Sequence, residues 1–215
     1  MVKTKEDLQR EREFTPSTNR TEAFSDGVFA IVVTLLVLEL RIPDLVHDFS
    51  NSEALNALYN MLPKFTGFVV SFVVIAIYWV NHHQLFQSLE CADRPLLWYN
   101  NLLLFWMCFI PFPTAFIGEY PLKLVPVMLY GAVLTLAGIS FDLLLWHCIR
   151  ADLFRKNLSR TLIRRSAKRG FIGPVIYFIS IIAAPVSVYI SLGIFIFTPL
   201  LFFIPQKIVE GKDYE

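Results

Sequence analysis

Four stretches of about 20 or more mostly apolar residues occupy most of this chain, and a fifth, residues 171–205, is 35 residues long and almost entirely apolar. Runs of that length have few stable solutions. In a hydrocarbon environment every backbone N–H and C=O must be paired within the protein, so the spans must be helices or a closed barrel. The runs lack strict alternation and exceed the length of a barrel strand, which points to helices. Composition agrees. The chain of 215 residues is 55% hydrophobic, carries 20 Phe and is only 17% charged, with a mean hydropathy of +0.55. A soluble domain would carry more charge and shorter apolar runs.

The expected spans run from Glu22 to Leu40, Pro63 to about Phe86, Leu96 to Ile117, and Leu122 to about Ile149. A single helix over 171–205 would extend about 52 Å, far beyond a bilayer core. Two helices with a turn near Val188–Gly193, broken by Pro185 and Gly193, fit better. The expectation is an all-α membrane protein with six transmembrane helices. It comprises a six-helix unit over 20–206, an N-terminal tail over 1–19 and a C-terminal tail over 207–215.

Lys and Arg concentrate in the first 20 residues and between Arg150 and Arg169, whereas the loop from Ile42 to Leu62 carries Asp44, Asp48 and Glu53 without Lys or Arg. By the positive-inside rule both termini and the basic loop are cytoplasmic and the acidic loop faces out. The basic segment also suits anionic headgroups, although anchoring the flanking spans accounts for it more simply. The formal net charge of +1 gives no reason to expect a nucleic-acid partner. Cys91, Cys108 and Cys148 have no paired spacing and imply no disulfide or zinc framework. No apolar leader of the signal-peptide type is evident in the polar first 20 residues.

The first span opens with Arg20, Phe24, Ser25 and Asp26 in the pattern Arg-x-x-x-Phe-Ser-Asp, followed by Gly-Val-Phe-Ala-Ile. Polar groups at the edge of a span demand a partner or a task. At 100° per residue Ile31, Thr34, Leu35 and Leu38 share one face, and Ser25 and Asp26 lie about 130° to either side of its centre. One side therefore packs and the other does something else. Glu22 precedes Asp26 by one turn and repels it, so Asp26 should find a partner on another span. His82 and His83 at the end of the second span, with Trp79, and Asn100 and Asn101 at the start of the third, stand at the same depth. Ser25, Asp26, one histidine and one asparagine are expected to form an interhelical network.

The motif resembles that of the transmembrane protein 175 family of potassium channels in its bacterial form. The resemblance implies a homotetramer embedded in membrane lipid, in which four first helices surround a central pore that K⁺ permeates without any cofactor. On that analogy Ile31, Leu35 and Leu38 form an apolar constriction, Thr34 supplies a hydroxyl ring favouring potassium, and the Phe-Ser-Asp motif packs the first helix. The setting implied is a bacterial plasma membrane. Absence of a Thr-Val-Gly-Tyr-Gly filter, of a P-loop and of an Arg-rich voltage sensor fits a channel of another kind and not an enzyme.

Two other readings have their own residues. A proton- or ion-coupled transporter would use the intramembrane Asp142 with His82, but no inverted repeat accompanies them. A metal or haem site would use His82, His83 and His147, but adjacent helical residues diverge by about 100°. Asp142 itself is expected either to bind a proton or cation or to serve a structural partner.

Overall fold

In the computed structural model, residues 18–41, 43, 49–156 and 158–202 are described, apart from the side chains at 162 and 164–166. The expectations for the two tails over 1–17 and 203–215, for Asp44 and Asp48, and for the side chains of Arg164 and Arg165 lie outside the described residues. Among the described residues nine helices follow one another: α1 (Thr18–Leu38), α2 (Asn51–Asn60), α3 (Leu62–Ser88), α4 (Arg94–Phe109), α5 (Pro111–Glu119), α6 (Leu124–Arg150), α7 (Arg160–Gly170), α8 (Ile172–Ala183) and α9 (Val188–Phe202). The only extended pairing among the described residues is an isolated bridge between Leu89 and Phe154.

Among the described residues four stretches are long and apolar enough to cross a membrane: α1, α3, the nearly continuous α4–α5 (Arg94–Glu119) and α6. Pro111 opens α5 and Pro113 follows it, which divides the third stretch in two, because a proline interrupts the i→i−4 ladder. The last apolar run forms two shorter helices, α8 of 12 residues and α9 of 15. Their turn is at Ala184–Ser187, earlier than Val188–Gly193, and is closed by Val186 and Ser187 N–H groups donating to the Ala183 carbonyl at 3.0 and 2.9 Å. Pro185 is the effective breaker. Gly193 continues as part of α9, where an added Cβ would meet open space.

Two helices occupy stretches expected to be loops. In α2, Ser50 and Glu53 form a reciprocal capping box, and the Ser50 N–H holds the Glu53 carboxyl below its ordinary range. The basic α7 has Ile163 buried on its inner side.

Helix α6 is the centre of the bundle and packs against α4, α5, α8 and α9, while α1 lies against α3 and α4. Small residues set how closely α6 and α8 approach. A Cβ on Gly131 would lie 2.9 Å from Ser180 Oγ, and one on Gly138 would lie 2.5 Å from Pro174 Cγ. Polar crosslinks complete the core. Ser71 Oγ on α3 is 2.7 Å from Thr114 Oγ1 on α5 and 2.8 Å from the Tyr130 hydroxyl on α6, so three helices share one buried hydroxyl cluster. Asp93 caps α4 through the Leu96 N–H at 2.9 Å and accepts from His147 Nε2 of α6 at 2.9 Å. That pairing gives His147 a structural partner.

The two glycine environments separate a packing role from mere helix propensity. Gly138→Ala should lower the thermal unfolding midpoint of the purified protein, by about 1–3 kcal/mol of stability, because the Pro174 ring cannot retreat freely. Gly193→Ala should be neutral or stabilising, since it gains helix propensity without a clash. Equal effects at both positions would contradict the close α6–α8 contact.

Candidate functional site: helix α1 and its supports

Helix α1 has two unlike sides. Thr21, Ser25, Phe29, Val32 and Leu36 are buried against the rest of the subunit. The opposite side carries Phe24, Ile31, Leu35 and Leu38, which are 60%, 61%, 42% and 67% exposed, together with exposed Arg20 and Thr34. Beside them Ala23, Gly27 and Ala30 are also exposed, so a strip of small residues ending at Thr34 flanks the apolar ridge. This apolar ridge, left open by the other described residues, is the most distinctive surface of this helix.

The buried side is fastened by polar contacts at one end. Ser25 Oγ donates to the Thr21 carbonyl at 2.8 Å and accepts from Asn100 Nδ2 of α4 at 2.9 Å. The Asn100 Oδ1 is 2.8 Å from His82 Nε2 of α3. Because the amide group of Asn100 already donates to Ser25, its oxygen must accept, which puts the proton of neutral His82 on Nε2. All three side chains are buried, and the His82 ring sits between Phe86, stacked at 4.3 Å, and Phe29 at 5.5 Å. His82 Nδ1 has no hydrogen-bond partner among the described residues.

A second set of contacts runs along the edge of α1. Asp26 Oδ1 accepts from Trp79 Nε1 at 2.9 Å, and Glu22 Oε1 lies 2.8 Å from His83 Nδ1. Trp79 and His83 stack at 5.8 Å, and Gln87 is 2.8 Å from His83 Nε2. The ligating atoms of Glu22, Asp26 and His83 lie within 4.8 Å of one another, a spacing open to a cation, but each residue already has a contact within the chain.

The expected network is thus two networks. Ser25 joins Asn100 and His82, while Asp26 turns to Trp79. Asn101 is exposed and belongs to neither, and Phe24 and Arg20 are on the open side of α1. Asn100 and Asn101 differ by 100° on their helix, and no sequence pattern distinguished them. Trp79, expected at the same depth, supplies the partner of Asp26 through its one indole N–H, in place of the expected histidine or asparagine.

Thr34 is poised differently from the buried hydroxyls. Its Oγ1 donates to the Ile31 carbonyl at 2.8 Å, so the proton is committed to the backbone and oxygen lone pairs remain available on the open side. A hydroxyl so arranged presents an acceptor to a passing cation.

Residues 20–111 match the family model for the endosomal/lysosomal potassium channel TMEM175. A potassium channel of Chryseobacterium sp. strain P1-3 is 34% identical over 191 residues, covering 89% of this chain and 95% of that protein. The chain belongs to the TMEM175 family. Its fold agrees with the crystal structure of a lysosomal potassium-selective channel TMEM175 homolog from Chamaesiphon minutus, with a TM-score of 0.77 at 32% identity, covering 86% of this chain and 96% of that one. The human endosomal/lysosomal proton channel TMEM175 is 38% identical over 112 residues, covering 49% of this chain and 20% of the human protein. The protein is therefore a membrane-embedded member of an ion-channel family and not an enzyme. Its motif from Arg20 to Asp26 falls at the start of the matched region.

The adjacent asparagines offer an internal comparison. Asn100→Ala leaves a His82 N–H and a Ser25 oxygen without their partner, and each buried loss costs about 1–3 kcal/mol. It should lower the thermal midpoint and the yield of assembled protein, whereas Asn101→Ala should stay within about 0.5 kcal/mol of the parent. Equal behaviour of the two variants would remove the Ser25–Asn100–His82 bridge from the account.

Proposed function

We propose that this protein is a potassium-permeable channel whose α1 helices, one from each of four identical chains, line a central path. The observation that carries the reading is the open ridge of Phe24, Ile31, Leu35 and Leu38 on a helix otherwise fastened to its own subunit. Small residues at Ala23, Gly27 and Ala30 on its flank suit close approach of a neighbouring α1. In this reading Ile31, Leu35 and Leu38 form a constriction that controls flow by dewetting, and Thr34 supplies a ring of oxygen acceptors. Selectivity for potassium over sodium is modest, because hydroxyls replace only part of a hydration shell.

The same proposal includes six crossings per chain over 20–206, with α8 and α9 as the fifth and sixth, and tails over 1–19 and 207–215. Both termini and the basic α7 face the cytoplasm of a bacterial plasma membrane. Arg20, Phe24, Ser25 and Asp26 form the base of the pore helix, and Trp79, His82 and His83 of α3 with Asn100 and Asn101 of α4 stand beside it. Among them Ser25, Asp26, Trp79, His82 and Asn100 act by placement. A carrier that uses His82 would need that ring to meet solvent, and its enclosure argues against it.

Flux into liposomes holding the purified protein tests the reading. A potassium gradient should drive fast cation flux exceeding that of an equal sodium gradient, and a proton gradient measured alongside separates potassium from proton permeation. Leu35→Ala should raise the flux severalfold by widening the constriction. Thr34→Val should move the reversal potential under bi-ionic potassium/sodium conditions towards zero. Flux unchanged by Leu35→Ala would remove Leu35 from the constriction, and an unmoved reversal potential would place selectivity elsewhere.

A further inference from the structure

A cavity of about 140 Å³, lined by no residue of α1, lies between α3, α6, the α7–α8 junction and the end of α9. Tyr78, Phe141, Tyr177 and Phe202 contribute four aromatic rings to its wall, and Asp142 contributes a carboxylate. Tyr78 and Phe141 meet edge to face at 6.1 Å. Asp142 Oδ2 is buried with no hydrogen-bond partner among the described residues. At Gly170 an added Cβ would lie 2.9 Å from Asp142 Oδ1, so only a glycine lets the end of α7 come this close to the carboxylate. Arg169 is also at the wall, but its Nη2 donates to the Leu201 carbonyl at 2.9 Å, and no ion pair links it to Asp142.

A carboxylate in such surroundings is costly unless a proton or a countercharge offsets it. The wall chemistry selects between the two. Aromatic faces attract a cation through their quadrupole, and several rings around one acidic group recognise alkylammonium heads. A metal ion would ask for a cluster of His, Cys or carboxylate ligands, and Asp142 belongs to none among the described residues. Size agrees as well: a dry cavity of ~150 Å³ holds a benzene molecule, and a trimethylammonium group is of similar bulk.

We propose that this cavity is a binding site for an organic ammonium group, seated among Tyr78, Phe141, Tyr177 and Phe202 with its charge against Asp142. The site is separate from the α1 surface and independent of whether that surface conducts. The ammonium could arrive as a free solute or as the head of a lipid, and both present the same chemistry.

Binding to the purified protein, read by calorimetry and by the shift in thermal midpoint at constant ionic strength, tests the proposal without any flux assay. The probes are choline, its uncharged isostere 3,3-dimethyl-1-butanol, and dodecylphosphocholine below its micellar concentration. Choline or dodecylphosphocholine should bind saturably, at least tenfold more tightly than the neutral isostere. Binding by choline identifies a solute site, and binding by dodecylphosphocholine alone identifies a headgroup site. Asp142→Asn should weaken the binding at least tenfold, and Phe141→Leu, which keeps the carboxylate and an apolar wall, should weaken it severalfold. Failure of both ammonium-bearing probes to bind, or equal affinity for the neutral isostere, would overturn the proposal. Undiminished binding to either variant would overturn it equally, and the wild-type comparison stands even where a variant does not fold.

Discussion

The buried hydrogen-bonded bridge from Ser25 through Asn100 to His82 is the constraint on which the arrangement of α1 depends. It joins three helices through side chains that have no access to solvent, and in an apolar surrounding no water can substitute for a missing partner. Rotation of α1 by even one residue step would break it and expose Ser25 to hydrocarbon. Asp26 on Trp79 and Glu22 beside His83 reinforce the same orientation from the edge of the helix. The ridge of Ile31, Leu35 and Leu38 then points away from its own subunit because the opposite side is held, not because anything in this chain attracts it outward.

Much of this organisation could be read in the residues. Length and apolarity located the four long stretches within a few residues, since a membrane leaves little choice about how such runs satisfy their backbone. Helical periodicity separated the Ile31/Leu35/Leu38 face from Ser25, and depth brought Asn100 and His82 into range. What could not be read depended on one rotation or one donor. Asn101 stands next to Asn100 yet faces outward, and the pairing of Asp26 with an indole N–H has no spacing signature. The α8–α9 turn fell at Pro185, where Val186 and Ser187 turn back onto the Ala183 carbonyl, and not near Gly193, which meets no neighbour; α9 even carries Pro199 within it, so the residue type alone did not locate the break. Capping and a buried Ile163 made helices of two loop stretches whose composition alone looked merely polar.

The bundle thus divides its polar groups by role. Those at Ser71, Thr114 and Tyr130, and at Asp93 and His147, close on each other and hold helices together. Thr34 keeps acceptor capacity on an open surface, and Asp142 Oδ2 is buried without a hydrogen-bond partner among the described residues. Thr34 lies within the residues matched by the family model, and Asp142 lies outside them.

The account centres on the claim that the open ridge of α1 faces the ion path. Chemical modification of a Leu38→Cys variant, in a background with Cys91, Cys108 and Cys148 replaced, tests it most directly. Potassium flux through liposomes would be measured before and after treatment with a cationic methanethiosulfonate reagent. The account predicts that complete modification at position 38 abolishes most of the flux. Complete modification with flux unchanged would place the path away from this face of α1 and contradict it.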